Sequence, residues 1–293
     1  MDAPYDEFGL FHENIAEWGL DVAVPPVSRF AQSVDGLRHV SGLRWFEAEP
    51  ELVLLHGGAQ NAHTWDTVAL ALQRPLLAID LPGHGHSDTS PYPHGALLPH
   101  ARDVIAVLEV MLDRPTPLVG MSLGGLVSLV VASERPDLIS SLTMIDITPG
   151  VNSEKTKHIT AFVNGPKTFP DFDALLARTI EHNPTRSVSS LRRGILHNAI
   201  RQPDGSWIWR HQRDAGNLEA PAVGDLWERV GSLAMPVTLV RAMGKGSVVD
   251  DADEVEFLRR QPGGRVVRVD ESGHSVQGDQ PLVLAALLAE SLD

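Results

Sequence analysis

Six short apolar runs, each leading through a turn into a stretch of helical periodicity, constrain this chain more than any other feature. They lie at residues 52–55, 76–79, 118–119, 142–147, 237–240 and 266–269. Each is apolar on consecutive rather than alternate positions, the pattern of strands covered on both faces. Helical patterns run between and after them, at about residues 62–73, 97–113, 123–135, 250–260 and 280–292. Such alternation predicts an α/β architecture, a mostly parallel sheet with helices on both sides. Ahead of it, roughly residues 27–46 with their Asp35-Gly36 turn signal read as an antiparallel hairpin feeding the sheet. With 293 residues, 43% of them hydrophobic, the chain can bury a sizeable core and carry an insertion.

The pattern breaks once, from Pro149 to about Pro221, where no buried strand appears. Phe172, Leu175, Leu176, Thr179 and Ile180 fall at helical spacing and stop at Asn183-Pro184. Val188, Leu191, Ile195 and Ala199 give a second helix, and an Asp204-Gly205 turn then precedes Trp207 and Trp209. The expected division is a core of residues 1–148 and 222–293, interrupted by a helical cap at 149–221. Charge separates along the same boundary. Between Gly150 and Ala220 stand ten Lys/Arg and seven Asp/Glu, a net +3 that leaves −17 for the rest of a chain at −14. Two readings of that excess stand side by side. One is a solvated, Arg-rich helix face; the other is a cap held electrostatically or meeting an anionic substrate, with Arg192 and Arg193 as the residues to test.

An overall charge of −14 disfavours nucleic acid as a partner, since phosphate contacts need clustered Lys and Arg. The absence of cysteine removes disulfides and thiolate metal sites together, and fits a reducing cytoplasm. Residues 1–8 carry Asp2, Asp6 and Glu7 without a basic residue, unlike a signal or transit peptide. No apolar stretch is long enough to span a bilayer. The expectation is a cytoplasmic protein acting on a small molecule.

Gly120-Met121-Ser122-Leu123-Gly124 follows one apolar run and opens a helix at Gly124-Gly125-Leu126. A sharp strand-to-helix turn strains the serine backbone, lifts its hydroxyl clear of the sheet and aims a helix N-terminus at developing negative charge. A serine at its ordinary pKa needs a base. His274, in Glu271-Ser272-Gly273-His274-Ser275, follows the last strand, so its loop lies at the same sheet edge as Ser122. The glycine-rich turn His56-Gly57-Gly58-Ala59-Gln60-Asn61 can present a backbone N–H to an oxyanion. Gly58 is the expected donor, Ala59 the alternative, and Leu123 supplies the second N–H. His56 itself reads as structural. In Asp80-Leu81-Pro82-Gly83-His84-Gly85-His86-Ser87 the two histidines suggest a metal but have no third ligand at suitable spacing, so no metal is expected.

With these elements in view, the chain resembles the α/β-hydrolase fold superfamily in its capped serine-hydrolase branch. The resemblance rests on His56-Gly57-Gly58, Asp80-x-Pro82-Gly83-x-Gly85-x-Ser87, Gly120-x-Ser122-x-Gly124-Gly125 and Gly273-His274, in that order. It covers nearly the whole chain outside the cap and the first 25 or so residues. It is specific for the fold and weakly specific for substrate. It implies an eight-stranded sheet, a Ser–acid–His triad and a cap over the pocket. Epoxide hydrolases and haloalkane dehalogenases of this fold use aspartate at the elbow, and Ser122 argues against both.

The acid departs from the common pattern. Many relatives place it after the seventh strand, where this chain has Arg241-Ala242-Met243-Gly244-Lys245-Gly246-Ser247 and no carboxylate. Asp250 and Asp251 follow, at positions suited to starting a helix. Asp146, at the end of the sixth strand in Met144-Ile145-Asp146-Ile147 (the hairpin strands counted), is the preferred candidate, because an aspartate in an apolar run is costly to bury without a partner. The order Ser122, Asp146, His274 matches the superfamily's.

These residues together indicate hydrolysis of an ester-like carbonyl through an acyl-enzyme, with no cofactor, and Trp207 and Trp209 as candidate pocket residues. The same scaffold also serves C–C bond hydrolases, thioesterases, lactonases, acyltransferases and cofactor-free oxygenases, the last of which place their acid after the sixth strand. A hydrolase-like receptor that binds without turnover is the non-enzymatic alternative.

Overall fold

The computed structural model describes residues 5–92, 96–212 and 223–292. Eight strands form one sheet: β1 (Val27–Ser33), β2 (His39–Trp45), β3 (Leu52–Leu55), β4 (Leu76–Ile79), β5 (Thr116–Met121), β6 (Ile139–Ile145), β10 (Val237–Ala242) and β11 (Arg265–Val269). Their order across the sheet is β1-β2-β4-β3-β5-β6-β10-β11. The hairpin β1–β2 and the β2–β4 pair are antiparallel, and every other pairing is parallel. This is the mostly parallel eight-stranded α/β fold that the sequence predicts.

Side chains of consecutive strand residues enter two separate cores. Val53, Leu55, Leu118, Leu142 and Leu239 face one side, with α3 (Leu97–Met111), α4 (Leu123–Glu134), α8 (Val223–Ser232) and α9 (Asp251–Arg260). Leu52, Leu54, Val119, Ile145 and Val240 face the other, with α1 (Phe11–Trp18), α2 (Asp66–Leu72), α10 (Val276–Asp279) and α11 (Pro281–Ala289). Burial on both faces explains why these strands read as unbroken apolar runs. Asp250 caps α9, accepting the Asp253 N–H while the Asp253 side chain accepts the Asp250 N–H.

The segment between β6 and β10 carries α5 (Lys157–Val163), α6 (Phe172–His182) and α7 (Val188–Asn198). It also holds a three-stranded antiparallel sheet of β7 (Thr168–Phe169), β8 (Ala199–Arg201) and β9 (Trp207–Trp209), in the order β7-β9-β8. The insertion, expected from sequence as a helical cap, thus also carries a small sheet, whose strands of two and three residues are too short to show an alternating pattern. The boundary expected at 221/222 lies outside the described residues. Among the described residues no helix is long and apolar enough to cross a membrane.

Candidate active site

The loops leaving the carboxyl ends of β3, β5, β6, β10 and β11 converge here. At the end of β5, Ser122 has φ +52°, a conformation costly for any residue with a Cβ. The turn forces it, because α4 begins at once and the Gly125 and Leu126 N–H groups bond back to the Ser122 carbonyl at 2.9 and 3.1 Å. The flanking glycines are there for space. A Cβ on Gly120 would lie 2.3 Å from the Gly124 carbonyl oxygen, and one on Gly124 would lie 2.4 Å from that of Leu55.

Asp146 follows β6 directly, with φ +44°, and is fully buried. Its Oδ1 accepts the Ala242 N–H at 3.1 Å and the Ser247 hydroxyl at 2.6 Å. Its Oδ2 accepts the Val248 N–H at 3.0 Å and His274 Nδ1–H at 2.9 Å. The β10 strand end and the loop after it, which lack a carboxylate of their own, instead donate three hydrogen bonds to this one. Four donors offset the desolvation that a lone buried aspartate would suffer. The other two candidate acids are engaged elsewhere, Asp250 with Lys155 at 2.8 Å and Asp251 with Arg241 at 2.7 Å.

The His274 loop follows β11 and is anchored by Asp279, whose carboxylate accepts the Gly273 N–H at 2.8 Å. With Nδ1–H given to Asp146, the acceptor nitrogen of the ring is Nε2. That atom is buried and has no hydrogen-bond partner among the described residues. Ser122 and His274 line one cavity of roughly 1110 Å³, together with Gly58 and Leu123. His158 of α5 lines it too, its pKa lowered by burial and by the neighbouring His274.

Of the two donors considered after β3, Ala59 is occupied, giving its N–H to His84 Nε2 at 3.1 Å. Gly58 has no such bond among the described residues. Leu123 is the first residue of α4, where an N–H has no acceptor in the helix's own ladder. His56 bonds the Gly57 carbonyl at 2.7 Å and accepts the Leu81 N–H at 2.9 Å, while His84 also bonds the Pro82 carbonyl at 3.1 Å. Both histidines thus tie the glycine-rich turn to the turn after β4. The turn is tied to the insertion as well, since Asn198 donates to the Ala59 carbonyl.

Trp209 reaches the cavity wall. Trp207, on the same face of β9, packs edge-on against Phe172 at 5.2 Å within the insertion's small core and is not among the residues lining the cavity. Arg192 and Arg193 face α1: Arg192 pairs with Glu13 at 3.1 Å and Arg193 with Glu17. Their charge holds the insertion to the N-terminal helix.

Beside the cavity, His63, Asp66 and His197 bring three ligand-type atoms within 4.8 Å of one another. His63 is hydrogen-bonded on both nitrogens, to Asp66 at 2.9 Å and Glu7 at 3.0 Å. Burial opposes its charge, but the two carboxylates outweigh it and hold its pKa up to about 9. The ring is therefore an imidazolium, stacked 3.8 Å from His197, and not a free metal ligand. No local sequence signal marks this network, which joins Glu7, His63 and His197 across most of the chain.

A family model described as the alpha/beta hydrolase fold matches residues 50–281. Esterase Rv0045c of Mycobacterium tuberculosis is 40% identical over 295 residues, covering 98% of this chain and 96% of that protein. A solved structure of that esterase superimposes with a TM-score of 0.86 at 39% identity, over 99% of this chain and 100% of the other. The mouse sn-1-specific diacylglycerol lipase ABHD11 is 25% identical over 242 residues, covering 79% of this chain and 77% of that lipase.

Proposed function

The chain belongs to the alpha/beta-hydrolase fold family, and from that premise we propose that it is an esterase using a Ser122–His274–Asp146 triad. Ser122 Oγ attacks the ester carbonyl while His274 Nε2 takes its proton. Asp146 fixes the tautomer that leaves Nε2 free and stabilises the imidazolium that forms. The Gly58 and Leu123 N–H groups hold the tetrahedral oxyanion. His274 then returns the proton to the departing alkoxide, and an acyl-enzyme remains. Water activated by the same histidine releases the acid. Neither metal nor organic cofactor enters these steps. Residues 149–221 act as the cap, with Trp209 part of the pocket wall.

The observation that carries this reading is the buried, unpartnered Nε2 of His274 opposite its bond to Asp146, in the cavity that Ser122 also lines. Similarity to an esterase over nearly the full length of both chains supports ester hydrolysis over C–C cleavage or oxygenation. A 4-nitrophenyl ester panel of graded acyl length, run on wild type and Ser122→Ala, tests it. At least one ester should be turned over, and the variant should lose about three orders of magnitude or more in kcat. Turnover surviving in Ser122→Ala, or a folded wild type that a fluorophosphonate fails to label at Ser122, would overturn it.

A further inference from the structure

We propose that Arg186 is a substrate-recognition residue, and that the preferred esters carry a free carboxylate bound by its guanidinium. The proposal rests on the esterase reading above and adds a substrate class to it.

Arg186 lies between α6 and α7 and lines the cavity shared by Ser122 and His274. Of its five N–H donors, one is used among the described residues, from Nη2 to Ser190 Oγ at 2.7 Å. Its Nε is buried and has no hydrogen-bond partner among the described residues. Among the described residues no carboxylate lies within ion-pair distance of it, whereas three other arginines of the insertion have partners. Arg193 pairs with Glu17, Arg192 with Glu13, and Arg178 donates to the Ala161 carbonyl at 3.1 Å. Burial lowers the pKa of Arg186 and the nearby Arg193 charge adds to that, only partly offset by the more distant Asp279 and Glu17 carboxylates. Withdrawing a cation from water without an adjacent anion is expensive, and proteins retain such a group where a ligand completes it.

The placement also suits a substrate. The guanidinium rests on α10, the short helix that follows His274, and a Cβ on Gly278 would fall 2.8 Å from Arg186 Cζ. The glycine thus makes room for the cation on the base's side of the cavity. Asp279, the next residue, is engaged with the Gly273 N–H and stands outside ion-pair range. A planar fork with unused donors matches a carboxylate in two parallel hydrogen bonds, a geometry that an ammonium cannot reproduce.

The test compares matched esters on wild type, Arg186→Gln and Arg186→Lys. One arm places the carboxylate on the acyl side, with mono(4-nitrophenyl) glutarate, adipate and suberate against neutral 4-nitrophenyl esters of equal chain length. The other places it on the alcohol side, with 4-acetoxybenzoate against 4-methylphenyl acetate. In one arm the wild type should favour the anionic ester about tenfold or more in kcat/KM. Arg186→Gln should lower that value about ten- to hundredfold, in the range of a charge-assisted hydrogen bond, and lower the neutral ester far less. Arg186→Lys should fall between. Adipate should inhibit neutral-ester hydrolysis by wild type more strongly than by either variant, which also serves if Arg186→Gln folds poorly. Absence of any anionic preference in a wild type that turns over neutral esters, or equal losses for both ester types in Arg186→Gln, would overturn the proposal alone. A wild type inactive on every ester would overturn the esterase reading and the proposal together.

Discussion

Replacing Asp146 by asparagine isolates the third member of the proposed triad, and its consequences follow from the four donors around that carboxylate. Oδ2 faces His274 Nδ1 at 2.9 Å and the Val248 N–H at 3.0 Å; Oδ1 faces the Ala242 N–H at 3.1 Å and the Ser247 hydroxyl at 2.6 Å. An amide has one accepting end. With its NH2 towards His274, it must confront the Val248 N–H and convert Nδ1 into an acceptor, which moves the ring proton to Nε2 and removes the base. With its NH2 reversed, it confronts the Ala242 N–H and leaves His274 facing a neutral oxygen. Either way the imidazolium loses its counter-charge. Loss of the right tautomer costs about four orders of magnitude in kcat where the geometry is otherwise kept, equivalent to about 5 kcal/mol of barrier. One buried N–H left facing another donor costs about 1–3 kcal/mol of stability. The assay is kcat/KM on a 4-nitrophenyl ester with a urea melt beside it, for Asp146→Asn, Asp250→Asn and Asp251→Asn. Asp250→Asn keeps a good helix cap and loses only a surface pair with Lys155, so it should cost about 0.5 kcal/mol of stability and little activity. An Asp146→Asn enzyme retaining a tenth of wild-type activity, or an Asp250→Asn enzyme losing a thousandfold, would refute the assignment.

Two further outcomes concern how the insertion is held. Arg193, whose side chain is 4% exposed and paired with Glu17, should cost about 3 kcal/mol in urea melts when changed to Ala. Arg192, 44% exposed beside Glu13, should cost about 0.5 kcal/mol, and equal losses would count against a buried anchor at Arg193. His63 sets a pH dependence. Its folded pKa of about 9 stands above its ordinary 6.5, so its stabilising effect is complete below pH 6.5 and is lost as pH rises through 9. The gap is worth up to about 3 kcal/mol. The stability difference between wild type and His63→Gln should therefore shrink between pH 7 and 10, and a difference that grows with pH would contradict the imidazolium.

What could be read from the residues divides by the range of the interactions that fix them. β3 and β4 match their apolar runs residue for residue, because a strand buried on both faces leaves its whole length in local composition. The elbow is legible for a similar reason: Gly120 and Gly124 are demanded by contacts with the adjoining turn and strand. Asp146 showed itself as an acid stranded among apolar residues. The donors that reward it, from Ala242, Ser247 and Val248, lie about 100 residues away and carry no pattern of their own. The N-terminal helix also leaves a local signal, in Phe11, Ile15 and Trp18 at helical spacing and in Gly19, which closes it at φ +59°. Without α1 in place, nothing in the sequence separates an arginine that grips Glu17 from one that lines the cavity. Arg192 and Arg193 drew attention as adjacent positive charges, yet both are neutralised by that helix. Arg186, alone in sequence, lines the cavity with no carboxylate within ion-pair distance among the described residues. Charge patterning along a chain identifies which segment is basic; only the fold identifies which of its charges remain unspent.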